Sequence, residues 1–597
     1  MTTMYGELVQ YASTLTAADK PYHQETQYLW GLMLDADGLP RGADLVPLTT
    51  TTTDRRGNQK VIPGVRHVTP TLKRTGGVNP LLPHDGLGYV LGWCDANSKP
   101  QRVKNAHQAY RALLQEWVQA DGRADPIALA LQAFFGSDAP ARIRRPEKWT
   151  SKDNVLLHVG GVPAHGAESL SRFWTRHVEA SKGRGSSGRC LICGVYGALV
   201  DTLPQMIRGP LVPGGQSSGV APISINATAF GFDLSTGLAH VPVCTECARA
   251  IPAAFNDLLS DESRRRRTDD AATTWWIRGS TQVDPLDVLE SARESDVLAL
   301  FHSVEAGRRM QGEVDADQFN CMVVAGNGPR LIVRDWTSIP LADLNRNVAA
   351  WFADTEMMPE WPDQARFTPL WFLATSTGRY DHETSRYRGL GDSAGHHPHR
   401  VIEDLRRAAI RDTPLPASLA AWVIARVAAD HHLDTARAAL LRLALLRTYS
   451  KGNLMPGLDP DCTDPCYVAG RLFAEYAQIQ YSASTADDGK APNASFADKQ
   501  FAGAISAPAT AIAAGEKQAA AWLSKLHRKG WDAPYVRELD ALVELLDPNQ
   551  PLPARASIDQ QAMFILGYHH QRAHHNHARE AAKQARAGTQ ASTNQDR

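Results

Sequence analysis

The sequence has almost no net charge, few cysteines and no long apolar run. Lys and Arg number 63 against 64 Asp and Glu, a net charge of -1, which excludes a protein that coats DNA through a uniformly basic surface. The 8 cysteines are too few for a disulfide-built scaffold and indicate a reducing compartment. No apolar run approaches the length of a membrane span, about 18 residues, and the first residues show no signal-peptide pattern. These absences predict a soluble, cytoplasmic protein.

A chain of 597 residues with 43% hydrophobic residues is long enough for several packed domains. The first 400 residues mix strand-like and helix-like segments, including a strand-turn-strand pattern at Phe319–Arg334. Later residues show apolar side chains at helical spacing, as in Ala417–Tyr449. We therefore predict an α+β multidomain chain with an all-α C-terminal bundle. The predicted segments are an α+β domain with basic loops at 1–160, a central α+β domain at 161–400, a helical bundle at 401–580 and a disordered tail at 581–597.

Two CxxC pairs are the clearest chemical signal in the chain. Cys190-Leu-Ile-Cys193 and Cys244-Thr-Glu-Cys247 are separated by a loop about 50 residues long. Each CxxC turn points two thiolates at one ion, and two such turns complete a tetrahedron. The pattern favours a structural zinc site formed by the four cysteines. The alternative is four reduced, partly buried cysteines without a metal.

Residues 55–111 carry a local excess of positive charge on a stretch rich in Gly and Pro. Ten Lys and Arg side chains stand against two carboxylates, Asp85 and Asp95. Loops that mix cations with Asn suit contacts to phosphates and base edges, although a solvated surface without a ligand accounts equally well for the charge. The ten cations are Arg55, Arg56, Lys60, Arg66, Lys73, Arg74, Lys99, Arg102, Lys104 and Arg111.

The segment Gly215-Gln216-Ser217-Ser218-Gly219 fits the G-x-S-x-G pattern of a hydrolase nucleophile elbow. Such an elbow needs a strand before the Ser and a helix after it. Here Pro213-Gly-Gly precedes the pattern and a strand-like run follows it, so the context argues against a serine hydrolase. A glycine-rich backbone with Gln and Ser side chains is also suited to cradling a phosphate, which is the interpretation we prefer over a plain turn.

Several blocks of sequence together resemble the large subunit of the type I-C CRISPR surveillance complex, the Csd-type Cas large-subunit family. They follow the family's order from near residue 60 to near residue 572. Small departures are Gly86, where the family has Asn, and Lys499, where it often has Arg. The blocks include Pro63 to Lys104, the cysteine turn at 190–193, Met206 to Gly209, Gln216 to Phe230, Gly470-Arg471-Leu-Phe473, Asn493 to Asp498 and Asp559 to Arg572.

The resemblance implies a non-catalytic subunit of an RNA-guided DNA-binding assembly. In that family the N-terminal domain recognises the protospacer-adjacent motif in duplex DNA, and a helical C-terminal domain similar to the complex's small subunit lies along the displaced strand of the R-loop. The implied partners are a CRISPR RNA-containing complex with its backbone subunits and crRNA-processing subunit, the target duplex and a recruited helicase-nuclease. A separate small subunit translated from the same gene is a further hypothesis, with Met455 as a plausible start.

The candidate DNA contacts follow from the basic patches and from the resemblance. Phosphate or base contact is expected of polar side chains in both halves of the chain. The alternative is a metal-dependent nuclease or hydrolase acting on nucleic acid, although no P-loop stands out. The candidate residues are Lys60, Arg66, Lys73, Arg74, Asn79, Lys104, Gln216, Ser217, Asn226, Arg471, Lys499 and Arg572.

Overall fold

The computed structural model describes residues 3–15, 22–53, 59–72, 77–225, 227–230, 238, 240–279, 284–309, 317–488 and 495–595. The chain divides into two compact units. The first unit comprises Met1–Arg278 with Asn320–Ser338, and the second comprises Gly279–Phe319 with Ile339–Arg597. Within the described residues, no helix combines the length and the apolar character that crossing a bilayer requires.

The first unit mixes strands and helices. Its helices are α1 (Met4–Thr14), α2 (Leu87–Val90), α3 (Pro100–Ala120), α4 (Pro126–Gly136), α5 (Glu168–Lys182) and α6 (Thr245–Leu258). Its strands are β1 (His23–Tyr28), β2 (Trp30–Leu34), β3 (Val46–Pro47), β4 (Thr49–Thr53), β5 (Gln59–Pro63), β6 (Val65–Pro70), β7 (Asp85–Gly86), β8 (Asn154–Val159), β9 (Val162–Pro163), β10 (Gly183–Arg189), β11 (Tyr196–Val200), β12 (Arg265–Arg267), β13 (Ala272–Arg278), β14 (Gln318–Asn327) and β15 (Arg330–Pro340).

A sheet around strand β8 organises the N-terminal part of this unit. Its order is β3-β2-β8-β7, with β9 also pairing with β8, and β2 runs parallel to β8. Val155 and Leu157 of β8 are fully buried in one apolar core with Trp117 of α3 and Leu131 of α4. Helices cover one side of the sheet because a parallel strand pair is stable only when apolar residues shield it. Separate two-stranded pairs join β1 with β6 and β4 with β5, and they carry Arg66 on β6 and Lys60 on β5.

The rest of the first unit surrounds helix α6. A four-stranded sheet in the order β12-β13-β14-β15 and the hairpin of β10 and β11 share a core with α6 and α1. The β14–β15 pair confirms the strand-turn-strand pattern predicted at Phe319–Arg334. Phe255 on α6 and Met322 on β14 are fully buried in this core.

The second unit is mostly helical. Its helices are α7 (Pro285–Ser291), α8 (Glu294–Arg309), α9 (Leu341–Thr355), α10 (Leu370–Ser376), α11 (Val401–Arg411), α12 (Ala417–Asp430), α13 (Thr435–Arg447), α14 (Pro465–Asp488), α15 (Phe496–Ser506), α16 (Pro508–His527), α17 (Ala533–Glu544) and α18 (Ile558–Gln595), and its short strands are β16 (Tyr380–Asp381) and β17 (Arg386–Tyr387). Local sequence explains several boundaries. For example, Ser495 and Asp498 form a reciprocal capping box at the start of α15.

Two glycines let α14 and α18 approach closely. A Cβ on Gly470 would lie 2.1 Å from the Phe564 carbonyl oxygen, and a Cβ on Gly567 would lie 2.1 Å from the Tyr467 carbonyl oxygen. Phe473 packs beside this contact, with ring centroids 5.7 Å from Phe564 and 4.8 Å from Phe496. The blocks Gly470–Phe473 and Phe564–Tyr568 therefore form the central packing of the C-terminal helices.

The predicted fold class is confirmed. The chain is α+β and multidomain, with a cysteine-rich element in its mixed part and helices at its C-terminal end. The boundaries at residues 160, 400 and 580 stay a prediction. The structure continues α18 through residues 581–595, where the sequence predicts a disordered tail.

Candidate metal centre and nucleic-acid interface

The four paired cysteines converge in the first unit. Cys190 and Cys193 lie in the turn between β10 and β11, Cys244 caps α6, and Cys247 lies in its first turn. The four Sγ atoms all lie within 4.8 Å of one another, and those of Cys193 and Cys244 are 3.8 Å apart. Four thiolates about 2.3 Å from one zinc ion would be about 3.8 Å apart. The cluster therefore fits a single tetrahedral metal ion.

Local hydrogen bonds fix the backbone around the four cysteines. The Gly194 N–H donates to the Cys190 carbonyl at 3.0 Å, and the positive φ of Gly194, 72°, closes the turn. The Ile192 N–H points at the Cys190 sulfur at 3.4 Å, and the Cys247 N–H points at the Cys244 sulfur at 3.5 Å. Such N–H groups stabilise thiolates, as they do in metal-binding cysteine turns.

The thiols differ in their readiness to ionise. Burial acts to raise the pKa of Cys190, but backbone N–H groups, first that of Cys193, lower it to about 7. Burial raises the pKa of Cys244 and Cys247 above the usual thiol value. A bound cation would favour the thiolate form of all four, because a metal ion deprotonates the thiols that coordinate it.

Helix α6 connects this cluster to a cleft at its other end. Asn256, near the C-terminal end of α6, accepts a hydrogen bond from the Arg208 backbone N–H at 2.8 Å through Oδ1. Its Nδ2 donates to the Met206 carbonyl at 3.2 Å. The segment that carries Arg208 is thus fixed by the same helix that supplies two of the four cysteines.

The cleft holds an arginine pair around one carboxylate. It has a volume of about 320 Å³, and its lining includes Arg66, Arg208, Glu25 and Ser217. One oxygen of Glu25, on β1, lies 3.4 Å from Arg66 Nη1 and 3.3 Å from Arg208 Nη1. The Arg66 side chain is 68% exposed, whereas that of Arg208 is 27% exposed. Two guanidinium groups that share one carboxylate oxygen retain N–H donors for an anionic ligand.

A glycine-rich loop contributes Ser217, Ser218 and Gly219 to the cleft lining. Gln216 donates its backbone N–H to the Gly328 carbonyl at 3.0 Å, which holds the loop against the β14–β15 turn. A Cβ on Gly214 would lie 2.6 Å from the Gly326 carbonyl oxygen, and a Cβ on Gly209 would lie 1.9 Å from the Gln216 carbonyl oxygen. Only glycine fits at these positions, so the loop presents the exposed Gln216 and Ser217 on a fixed backbone.

The loop does not have the surroundings of a nucleophile elbow. A 3₁₀ segment at Gly209–Leu211 precedes it, and Val220, which follows it, pairs with Ile207. An elbow would place its Ser between a strand and a helix. The structure agrees with the sequence in this respect.

The other predicted contacts of the first unit lie outside the cleft lining. Lys60 on β5 and Lys104 on α3 are exposed, and Asn79 is half-buried just before the β7 segment. Arg111 instead donates to the Phe135 carbonyl at 2.7 Å, which gives it a role inside the fold. The structure therefore brings Arg66 together with Ser217 but leaves Lys60, Asn79 and Lys104 apart from them. Predictions for Lys73, Arg74 and Asn226 lie outside the described residues.

The predicted contacts of the second unit differ strongly in exposure. Arg471 is 5% exposed, and its guanidinium donates to Gln571 Oε1 at 2.9 Å and to the Asp459 carbonyl at 3.2 Å. This burial does not fit a phosphate contact, and the side chain instead connects α14 to α18. Lys499 is exposed on α15.

Arg572 has an intermediate position. Its side chain is 34% exposed, forms an ion pair with Glu360 and lies over the Tyr568 ring at 5.3 Å. It lines a pocket of about 570 Å³ with Arg579, Tyr481 and Gln478. Any phosphate contact of Arg572 would have to compete with Glu360.

Glu25 and Arg208 were not among the predicted site residues. Arg208 belongs to one of the blocks that carry the family resemblance, so a signal for it was present. Glu25 is paired with it across 183 positions of the chain, a contact that no local pattern reveals.

The chain matches a known protein family. A family model described as CRISPR-associated protein (Cas_Csd1) matches residues 5–576, nearly the whole chain. Among curated proteins, none matches the sequence.

Proposed function

This chain belongs to the Cas_Csd1 family of CRISPR-associated proteins, and from that premise we propose that it is the large subunit of a type I-C CRISPR surveillance complex. In this role it recognises the protospacer-adjacent motif in foreign double-stranded DNA. Family membership itself implies a place in a CRISPR effector complex and in antiviral defence. Recognition of the motif and the R-loop role are the proposal.

The observation that carries the proposal is the cleft of the first unit. Arg66 and Arg208 supply guanidinium groups suited to phosphate oxygens, while Ser217 lines the cleft with them. The exposed Gln216 precedes Ser217 on the same rigid loop. Phosphate contacts fix the register of a protein on a duplex, and side chains with both donors and acceptors read base edges. The arrangement supports one subunit that does both, and the exposed Lys60 and Lys104 add charge for the flanking duplex.

The helical second unit has the complementary role in this proposal. The protein stabilises the displaced strand of the R-loop while guide pairing reads the target sequence, the division of work known for RNA-guided systems. The exposed Lys499 and the cations near the α16–α17 turn are the candidate phosphate contacts. The complex then allows recruitment of a helicase-nuclease, so this chain is non-catalytic and acts in the cytoplasm.

The proposed partners follow from the same role. They are the CRISPR RNA-containing complex with its backbone and crRNA-processing subunits, and a small subunit translated from the same gene. An internal start at Met455 would begin just before α14 and include the α14–α18 packing around Phe473. Expression of the gene should then yield a second product comprising roughly the last quarter of the chain. A single full-length product would contradict this part.

We assign the metal of the four-cysteine cluster as structural zinc. Four thiolate ligands at tetrahedral spacing are the donor set that zinc prefers. Its role would be to fix α6 and, through Asn256, the Arg208 segment of the cleft. Elemental analysis should find about one zinc per chain, whereas folded protein without metal would overturn the assignment.

The experiment that tests the function measures DNA binding by the assembled complex with and without this chain. The targets are matched duplexes that carry a randomised flank beside the protospacer. We expect binding to require the chain and to select a short flank, while an unselected flank would contradict the proposal. Incubation of the protein with Mg²⁺ or Mn²⁺ and labelled DNA tests the alternative, a nuclease. DNA cutting that one carboxylate substitution abolishes would support that alternative.

A further inference from the structure

The turn between α16 and α17 presents an aromatic side chain among cations. Trp531 is 55% exposed. The Lys529 Nζ lies 5.7 Å from the centre of its ring. Residues 525–537 contain four cationic side chains and one carboxylate, Asp532. Arg528, Lys529 and Arg537 are exposed on this segment.

The turn holds the backbone of Trp531 in a defined place. The Trp531 backbone N–H donates to the Leu526 carbonyl at 3.1 Å, and the Gly530 backbone N–H donates to the His527 carbonyl at 2.9 Å. Gly530 has a φ of 71°, which lets the chain reverse sharply before α17. The Asp532 carboxylate lies 2.9 Å from His527 Nδ1 across the turn, so the one acidic group of the segment already has a protein partner. The indole is therefore displayed on ordered backbone.

Among other aromatic side chains of the second unit, Tyr481 is also exposed and lies beside a cation, Arg579, whereas two tryptophans differ from Trp531. Arg447 lies over Trp351, but that indole is fully buried and serves the core. Trp371 is 48% exposed, similar to Trp531, and its ring packs 5.6 Å from Phe372. Trp531 combines exposure with a cluster of cations. Aromatic faces among Lys and Arg are the means by which proteins bind single strands, because each base stacks while the cations follow the backbone.

We infer that Trp531 is a stacking platform for an unpaired base of single-stranded DNA, with Arg528 and Arg537 contacting the flanking phosphates. The identity of the strand as the displaced strand of the R-loop rests on the proposed function. Stacking is tolerant of sequence because every base has an aromatic face. The site would thus hold a displaced strand of any sequence.

The test uses the full-length protein and a fluorescent 15-nucleotide oligo(dT), with binding followed by anisotropy. Trp531→Ala and Trp531→Leu should weaken binding about tenfold, since either change removes the π-face. Trp531→Phe should stay within about twofold of the unchanged protein, because a phenyl ring still stacks. Trp371→Ala is the matched control and should also stay within about twofold. Equal thermal unfolding of the variants shows that the fold is retained.

Two results would overturn the inference. Binding by Trp531→Ala within about twofold of the unchanged protein would mean that the indole does not contact the strand. Full binding by Trp531→Leu would mean that an apolar side chain is sufficient and that no base stacks on the ring. Flank selection by the assembled complex separates this inference from the proposed function. If the complex selects a flank while Trp531→Ala binds oligo(dT) normally, only the inference fails; if Trp531 is required but no flank is selected, the proposed function fails alone.

Discussion

Arg66 in the first unit and Arg471 in the second were both predicted to contact DNA, but the fold exposes one and buries the other. The Arg66 side chain is 68% exposed and meets Glu25 at the edge of a cleft. Arg471 is 5% exposed and meets Gln571, the Asp459 carbonyl and Glu538 inside a helical bundle. Both residues are arginines, and both lie in blocks of sequence that carry the family resemblance. Neither property tells the two positions apart. Burial distinguishes an arginine available to a ligand from one that holds two helices together.

The same contrast extends to other arginines of the second unit. Arg437 is fully buried and donates to the Ser376 and Gly378 carbonyls, and its ion pair with Asp430 spans 2.5 Å. A buried guanidinium satisfies several carbonyl groups at once because its five N–H donors have fixed directions. In the first unit, by contrast, the cleft arginines are held by one shared carboxylate at the surface.

The largest expected effect is on the first unit and comes from removing the metal. A strong chelator, or the substitution Cys244→Ser, should lower the stability of the α6 region by about 5 kcal/mol or more, because metal binding contributes directly to folding. Hydrogen exchange should speed up in α6 and in the segment of Arg208, while α14 in the second unit keeps its protection. Cys94→Ser, which lies outside the cluster, is the control. Unchanged exchange in metal-free protein would show that the cluster does not support the cleft.

Next in size is the loss of the buried arginine. Arg471→Ala leaves Gln571 Oε1 and the Asp459 carbonyl without their donor, so we expect the free energy of unfolding to fall by about 3 kcal/mol. Arg66→Ala should change it by less than about 0.5 kcal/mol, because exposed ion pairs contribute little. Urea denaturation measures both. A stable Arg471→Ala variant that binds DNA poorly would mean that Arg471 contacts DNA and does not hold the two helices together.

Acid should affect the second unit through its buried histidines. His569 is 1% exposed and donates to the Met358 carbonyl at 3.3 Å, and burial, reinforced by the Arg572 charge, lowers its pKa to about 4. The neutral ring therefore contributes stability that is fully present above the ordinary histidine pKa of about 6.5 and is lost as the pH falls toward 4. The contribution is about 3 kcal/mol.

Thermal unfolding between pH 7 and pH 4 measures this dependence. His569→Gln keeps a donor for Met358 but does not titrate, so its stability should fall less steeply with pH than that of the unchanged protein. Equal slopes for the two proteins would mean that other groups account for the acid sensitivity.

The smallest expected effect concerns the carboxylate of the cleft. Glu25→Gln should strengthen binding of the assembled complex to non-specific duplex about twofold to fivefold, because Arg66 and Arg208 lose an anion that competes with phosphate. Discrimination between flanks should decrease accordingly. Asp121→Asn, which removes the half-buried partner of the exposed Arg176, is the control. Weaker binding would instead mean that Glu25 positions the two arginines.

Local sequence predicted the parts of the molecule whose chemistry is local. The two CxxC turns converge because each brings its own pair of thiols, and the strands around Gly328 form a hairpin because their turn residues require it. The contact between Glu25 and Arg208 joins segments 183 positions apart, and only the packing of β1 beside the segment of Gln205 and Arg208 creates it. No periodicity or spacing encodes such a pairing.

The sequence around Arg471 does contain a sign that this side chain is buried, although its charge suggests a surface position. Residues Cys466–Tyr476 are buried on every side of α14, and the sequence around Arg471 is apolar in both directions. A helix that is apolar all round lies inside a protein, so a cation within it is expected to be internal. The turn that carries Gln216 is exposed, as the sequence predicts. Its glycines let the backbone pack against the β14–β15 turn and leave the Gln216 side chain at the surface.

The most direct test of the central claim is the salt dependence of duplex binding by the assembled complex. Arg66→Ala should lower the slope of the logarithm of affinity against the logarithm of salt concentration by about one, because one phosphate contact is lost. Flanks that bind well should weaken together with flanks that bind poorly. An unchanged slope and unchanged affinity in Arg66→Ala would contradict the assignment of the cleft as the duplex-binding site.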